Sequence, residues 1–159
     1  MSGTRLEQQL KSFIRSLREQ GILDHRFNQM KELENETPGL VMEVITLVLR
    51  DGDAGIEELT RNLRERDINY PKVADLAHKL KGIGSSVGGC RVAAACVELR
   101  QASNAKNKER CLADFDAVKR EYLVLRESLN HILQYRWNAQ SMLMSPKGDV
   151  SKELVRSAF

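Results

Sequence analysis

From residue 112 to residue 132 the apolar side chains Leu112, Phe115, Val118, Tyr122, Leu125, Leu129 and Ile132 return every three or four positions. At about 100° per residue that spacing lines them along one stripe of a long helix, which must bury itself against other helices. Sustained alternation of period two, the mark of a half-buried strand, is absent from the chain. With only 3 prolines and 10 glycines in 159 residues, long helices are favoured over short strands joined by turns. The expectation is an all-α protein in which this stripe is the seam of an antiparallel bundle helix.

The other segments carry the same period. Leu6, Leu10, Phe13 and Leu17 mark a first helix. Gly21 ends it, with Ile22 and Leu23 placed to fold back on the last turn. Asp24 caps a short second helix bearing Phe27, Met30 and Leu33. Thr37-Pro38 reads as a cap and first position for a third helix, with Val41, Val44, Ile45 and Val48 before Asp51-Gly52-Asp53-Ala54-Gly55 and Ile56, Leu59 and Leu63 after it. The two glycines weaken the middle by about 1 kcal/mol each, so one long helix with a soft centre is expected, with a break as the alternative. Pro71 opens a fourth helix that runs to Gly88-Gly89. A fifth carries Val92, Cys96 and Leu99, and residues 104–107 form the next turn. After Trp137 the stripe dissolves, giving one helical domain over 1–138 and a polar, loosely held tail over 139–159.

Composition narrows the function. Apolar residues make up 42% and charged residues 30%, ordinary for a soluble globular chain. Twenty-five basic residues against 22 acidic leave a net charge of +3, too small and too scattered to suggest nucleic acid. No apolar run approaches the roughly 18 residues of a membrane span. Cys90, Cys96 and Cys111 lack metal-ligand spacing and read as free thiols of a reducing compartment. The Asp51-Gly52-Asp53 segment does not complete a calcium loop.

The fourth helix holds the chemistry. On a helical wheel Val73, Leu76, Leu80, Ile83 and Val87 fall in a sector roughly 80° wide, and His78 lies about 180° from its middle. Ala74, Asp75, Lys81, Gly82 and Ser85 are its neighbours on the outer face. An imidazole is a competent nucleophile near neutral pH. Ala74 and Gly82 leave space one turn to either side, Lys81 offers an ammonium to a phosphoryl oxygen, and Ser85 offers a hydroxyl. The glycines do not form a nucleotide-binding loop: Gly82, Gly84 and Gly88 miss the G-x-G-x-x-G spacing and no strand precedes them. His25, near a helix start, and His131, in the last helix, read as solvated or capping residues.

His78-Lys79-Leu80-Lys81-Gly82, continued by Ser85-Ser86-Val87-Gly88, resembles the H-x-L-K-G-S-S-x-x-x-G signature of histidine-containing phosphotransfer proteins, in the plant form that serves multistep phosphorelays such as cytokinin signalling. Gly21-Ile22-Leu23-Asp24 before Phe27, Val44-x-x-Leu47, and Val118-Lys119-Arg120-Glu121-Tyr122 are similar to that family too, and the likeness spans residues 5–137. It implies four long helices in an antiparallel bundle with the first helices across one end. It matches His78 to the phosphorylated histidine, on Nε2, Lys81 to the assisting lysine, and Gly82 to the glycine that admits the partner. Relatives that have lost function carry asparagine where His78 stands. Ile83 and Gly84 occupy positions that are usually serine, a departure that bears on rate and partner preference.

The resemblance implies a carrier rather than an enzyme. His78 takes a phosphoryl group from a receiver-domain aspartate of a hybrid histidine kinase and gives it to a response-regulator receiver. The chain has no cofactor of its own, and magnesium and aspartate come from the partner. Lys79, Gly82, Ser85, Ala74 and Asp75 around the histidine, with Leu23, Phe27 and Met30 of the second helix, form the expected docking surface. The last three read equally well as packing on the bundle. A monomer in cytoplasm and nucleus is expected, without nucleic acid or membrane as partners. Two other classes stay open: a receiver-binding competitor that does not transfer, and a helical interaction module in which His78 is incidental.

Overall fold

The computed structural model describes residues 2–143, all of whose regular structure is helical: α1 (Ser2–Glu19), α2 (His25–Leu33), α3 (Leu40–Leu63), α4 (Tyr70–Ser86), α5 (Cys90–Asn104) and α6 (Lys108–Leu143). The last four close a ring in which α3 packs on α4, α4 on α5, α5 on α6 and α6 back on α3. Short connections make neighbours antiparallel. At 1.5 Å per residue α6, with 36 residues, is about 54 Å long, whereas α5, with 15, is about 22 Å. The overhang of α6 is where α1 lies, with the Phe13 ring 5.5 Å from that of His131 and 5.8 Å from that of Tyr135. Helix α2 sits on α3 and α4.

The α6 stripe is buried as its period requires, from Phe115 and Val118 through Tyr122, Leu125 and Leu129 to Ile132. Its first member departs. Leu112 is 41% exposed and Cys111 takes the inward position, since Cys111-Phe115-Val118 holds the seam at the helix start. The expected boundary after 138 falls inside α6, which continues to Leu143; the rest of the expected tail lies outside the described residues.

Helix starts and stops follow local chemistry. Gly21 has φ +73°, and Ile22 N–H returns to Leu17 O at 2.9 Å, the glycine-terminated ending expected for α1. Asp24 accepts from Arg26 N–H at 2.9 Å and caps α2. Asn69 accepts from Lys72 N–H at 3.1 Å and caps α4, with Pro71 in its first turn. The start of α3 corrects the Thr37-Pro38 reading. Those residues form a turn, Gly39 with φ +82° is the boundary residue, and Glu34 reaches across seven positions to accept from Val41 N–H at 2.9 Å. The other oxygen of Glu34 accepts from Arg136 of α6, so one carboxylate joins α2, α3 and α6.

Helix α3 is continuous through Asp51–Gly55. Its soft centre is required by α6: a Cβ on Gly52 would lie 2.5 Å from the Tyr122 ring, which rests on the α3 backbone. The Tyr122 hydroxyl donates to Asp53 at 2.6 Å, and Arg126 pairs with the same carboxylate at 3.0 Å. Burial and the Asp53 charge hold the Tyr122 phenol well above its ordinary range, so it stays a donor at any physiological pH. Gly52→Ala should therefore lower unfolding stability by about 1–3 kcal/mol, the usual cost of overpacking, despite alanine's better helix propensity. Urea denaturation followed by circular dichroism reads this; an unchanged or higher midpoint would show that Tyr122 does not rest there.

Candidate phosphoryl-acceptor site

Helix α4 has to bury more than its five-residue stripe because α3, α5 and α2 all pack on it. Val73, Leu76, Leu80 and Val87 are buried as expected, and Ile83 packs half-buried against the core. Ala74, Ala77 and Gly84 are buried as well, which widens the inward arc on the α5 side to about 180°. Ala74 thus belongs to the packed arc, not to the docking face expected for it. A Cβ on Gly84 would meet Val92 of α5 at 3.2 Å, so the Ile83-Gly84 pair is absorbed by packing.

His78 is exposed, but on the shoulder of α4 beside α5. Arg100 of α5 places Nη1 3.2 Å from His78 Nδ1. A guanidinium has only donors, so Nδ1 accepts. The two residues line a cleft of about 210 Å³ with Lys81, Cys96, Val97, Gln101 and Asn104. The cleft gathers two cations and two amides around one imidazole, a set suited to a phosphoryl group's oxygens. Asp75, Lys79 and Gly82 are exposed and Ser85 is half-buried. A Cβ on Gly82 would meet nothing within 4 Å, so the approach to the ring is open there. Arg100 was not legible from α4 alone. Its signal was the small arc Ala74, Ala77 and Gly84, which brings α5 close.

Leu23, Phe27 and Met30 are 2%, 0% and 6% exposed. They fill the core between α2 and the bundle, which corrects their assignment to the docking surface. What α2 offers to solvent is His25, Arg26, Gln29, Glu32 and Leu33. That helix is fixed relative to α4 by the Gly88 turn. Asp24 N–H donates to Gly88 O at 2.8 Å, Gly88 has φ +79°, and a Cβ there would stand 2.7 Å from the Asp24 carboxylate. The Cys90 thiol adds a bond to Gly21 O at 3.1 Å.

A model of the Hpt domain matches residues 43–135, which contain α4, α5, most of α3 and α6, and the cleft. The chain belongs to the histidine-containing phosphotransfer family. It is 34% identical over 143 residues to histidine-containing phosphotransfer protein 2 of rice, covering 89% of this chain and 96% of that one. The crystal structure of a rice protein titled as a histidine-containing phosphotransfer protein superposes with a TM-score of 0.84 at 33% identity, covering 88% of this chain and 99% of that one. Pseudo histidine-containing phosphotransfer protein 6 of Arabidopsis is 32% identical over 132 residues, covering 82% and 86%. Overall likeness therefore does not separate carriers from pseudo-carriers, and the residue at position 78 of this chain is an imidazole. The chain is a phosphotransfer intermediate of phosphorelays, and proteins of this family interact with receiver domains.

Burial pushes the Cys96 thiol up to about 12, against a partial opposing pull from Lys81. The thiol in the cleft is neutral near pH 7 and is no rival nucleophile to the imidazole. Between pH 9 and about 12 the unfolded chain ionises first, so this group's contribution to stability falls as pH rises through that window. At pH 8 iodoacetamide should modify half-buried Cys90 well before buried Cys96 or Cys111. Peptide mass spectrometry reads the order, and equal rates at Cys90 and Cys96 would contradict it.

Proposed function

We propose that His78 is the residue that carries the phosphoryl group. It takes the group from a receiver-domain aspartate of a hybrid histidine kinase and passes it to the receiver domain of a response regulator. The observation that carries this reading is the exposed imidazole in a cleft lined by Lys81 and Arg100. With Nδ1 facing Arg100, Nε2 is the nitrogen toward an incoming partner. In the transfer the hydrogen on Nε2 passes to solvent, the freed Nε2 electron pair forms the P–N bond as the P–O bond to the aspartate breaks, and the carboxylate leaves. Lys81, on the same cleft, offsets charge on the phosphoryl oxygens, the main demand of a loose transition state. Magnesium and the aspartate belong to the receiver.

The docking face in this reading combines Asp75, Lys79, Gly82 and Ser85 of α4 with the exposed side of α2, where Leu33 is 56% exposed. The setting is a plant-type relay such as cytokinin signalling, which the likeness to rice and Arabidopsis relatives supports; in this reading the carrier is a monomer that moves between cytoplasm and nucleus.

Incubation with a phosphorylated receiver domain and magnesium should transfer acid-labile, alkali-stable label to the wild-type chain and none to His78→Gln. Binding without label would make the chain a competitor, and label retained in His78→Gln would move the site elsewhere. Lys81→Ala should keep the fold and slow transfer by about 100- to 1000-fold, the range for losing one charge-stabilising donor. Unchanged transfer kinetics would remove Lys81 from the mechanism.

A further inference from the structure

The hydrogen bond between Arg100 and His78 has a consequence for when the carrier can react. A neutral imidazole holds one hydrogen, and the nitrogen without it is the acceptor. Nδ1 accepts from Arg100 Nη1 at 3.2 Å. The hydrogen of the resting ring is therefore on Nε2, the nitrogen proposed to carry the phosphoryl group. We propose that Arg100 is a latch on Nδ1: it masks the nucleophile in the resting carrier and keeps the phosphoryl group on His78 while the carrier is in transit. This rests on the assignment of His78 as the phosphorylated residue.

The electron count supports the second half. When the P–N bond breaks, its electron pair stays on Nε2, and the phosphorus passes to a receiver carboxylate oxygen or to water. If Nδ1 bears a hydrogen, the departing ring is a neutral imidazole. If Nδ1 is occupied by the guanidinium and bears none, the departing ring is an imidazolate, a far poorer leaving group. Arg100 can give a hydrogen bond to Nδ1 but cannot receive one, so it competes with a solvent proton for that lone pair. Release needs the guanidinium drawn away, which an acidic partner surface closing over the cleft supplies by offering it a carboxylate. A proton from water then takes Nδ1 of the phosphorylated ring and the phosphoryl group can leave; in the unphosphorylated ring the Nε2 hydrogen passes to water as Nδ1 gains one, and Nε2 can attack.

The surroundings leave Arg100 as the group that sets Nδ1. Lys81 and Cys96 are the other ionisable residues lining the cleft, and the Cys96 thiol is neutral. Val97, Gln101 and Asn104 complete it, and α2 and α3, on the other flanks of α4, contribute no lining residue. Asp75 and Lys79 stand on the exposed face of α4. Arg100 is itself exposed, so its substitution leaves the core intact.

Two measurements test the latch. In the first, long-range proton–nitrogen NMR of the unphosphorylated wild-type chain should show the hydrogen on Nε2 of His78, moving toward Nδ1 in Arg100→Met. A wild-type ring with its hydrogen mainly on Nδ1 would overturn the proposal, whatever the chain's ability to be phosphorylated. In the second, wild type, Arg100→Met and Arg100→Lys are phosphorylated with phosphoramidate, and loss of the phosphohistidine signal is followed by phosphorus NMR from pH 5 to 9. Arg100→Met should lose phosphate about tenfold faster at pH 7, the low end for losing one hydrogen bond from a charged donor, with the difference closing toward pH 5. Arg100→Lys, which keeps a donor, should fall between. Decay curves that shift equally at every pH would mean that Arg100 only steadies phosphoryl oxygens, and unchanged curves that it does neither; both defeat the latch. Failure of phosphoramidate to label His78 even in Arg100→Met, whose ring is unmasked, would instead defeat the carrier assignment, while the resting-ring spectrum still decides whether Arg100 holds Nδ1.

Discussion

The approach of α5 to α4 governs the site. Gly84 admits Val92 so closely that an added Cβ would stand only 3.2 Å away, and Ala74 and Ala77 are buried along the same arc. Because that flank is made of small residues, α5 comes near enough for Arg100 to reach the ring of His78 and for Cys96, Gln101 and Asn104 to wall a cleft with Lys81. A side chain at position 84 would require Val92 to give way by a few tenths of an ångström.

Most of the architecture was legible in the chain because its rules are periodic or local. The three-and-four spacing in α6 named its buried face, and the Gly21, Asp24 and Gly88-Gly89 signals marked real ends. Misreadings arose where a distant partner overrode the local rule. Thr37-Pro38 looked like a helix start, yet the cap comes from Glu34, which also answers to Arg136 a hundred residues away. The glycines in α3 looked like weakness, yet Gly52 is the seat of Tyr122.

At the site the same division holds. The outward direction of His78 follows from the wheel, and its neighbours on the exposed face follow from helical spacing. Arg100 did not, because 22 residues of sequence separate it from His78 and only the helix crossing brings them together. Ala74 went the other way: its distance of one turn from His78 is correct, but three packed neighbours enlarge the inward arc beyond what five apolar residues suggest. Phe27 and Met30, with Leu23 in the turn just before them, were ambiguous because a nine-residue helix is too short for its pattern to show which side is covered.

The long α6 divides the molecule into parts of unequal independence. Helix α1 leans mainly on the overhang of α6, whereas the ring of α3–α6 closes on itself without it. Local opening free energies track how much packing a segment contributes. The N-terminal helix can therefore lift and reseat as its own cooperative unit while the histidine-bearing pair stays assembled. The hinge of that motion, the turn at Gly21, is tied through the Cys90 thiol to the start of α5. The periphery of this molecule is thus coupled to its chemistry through the Cys90–Gly21 contact and the neighbouring Asp24–Gly88 backbone bond.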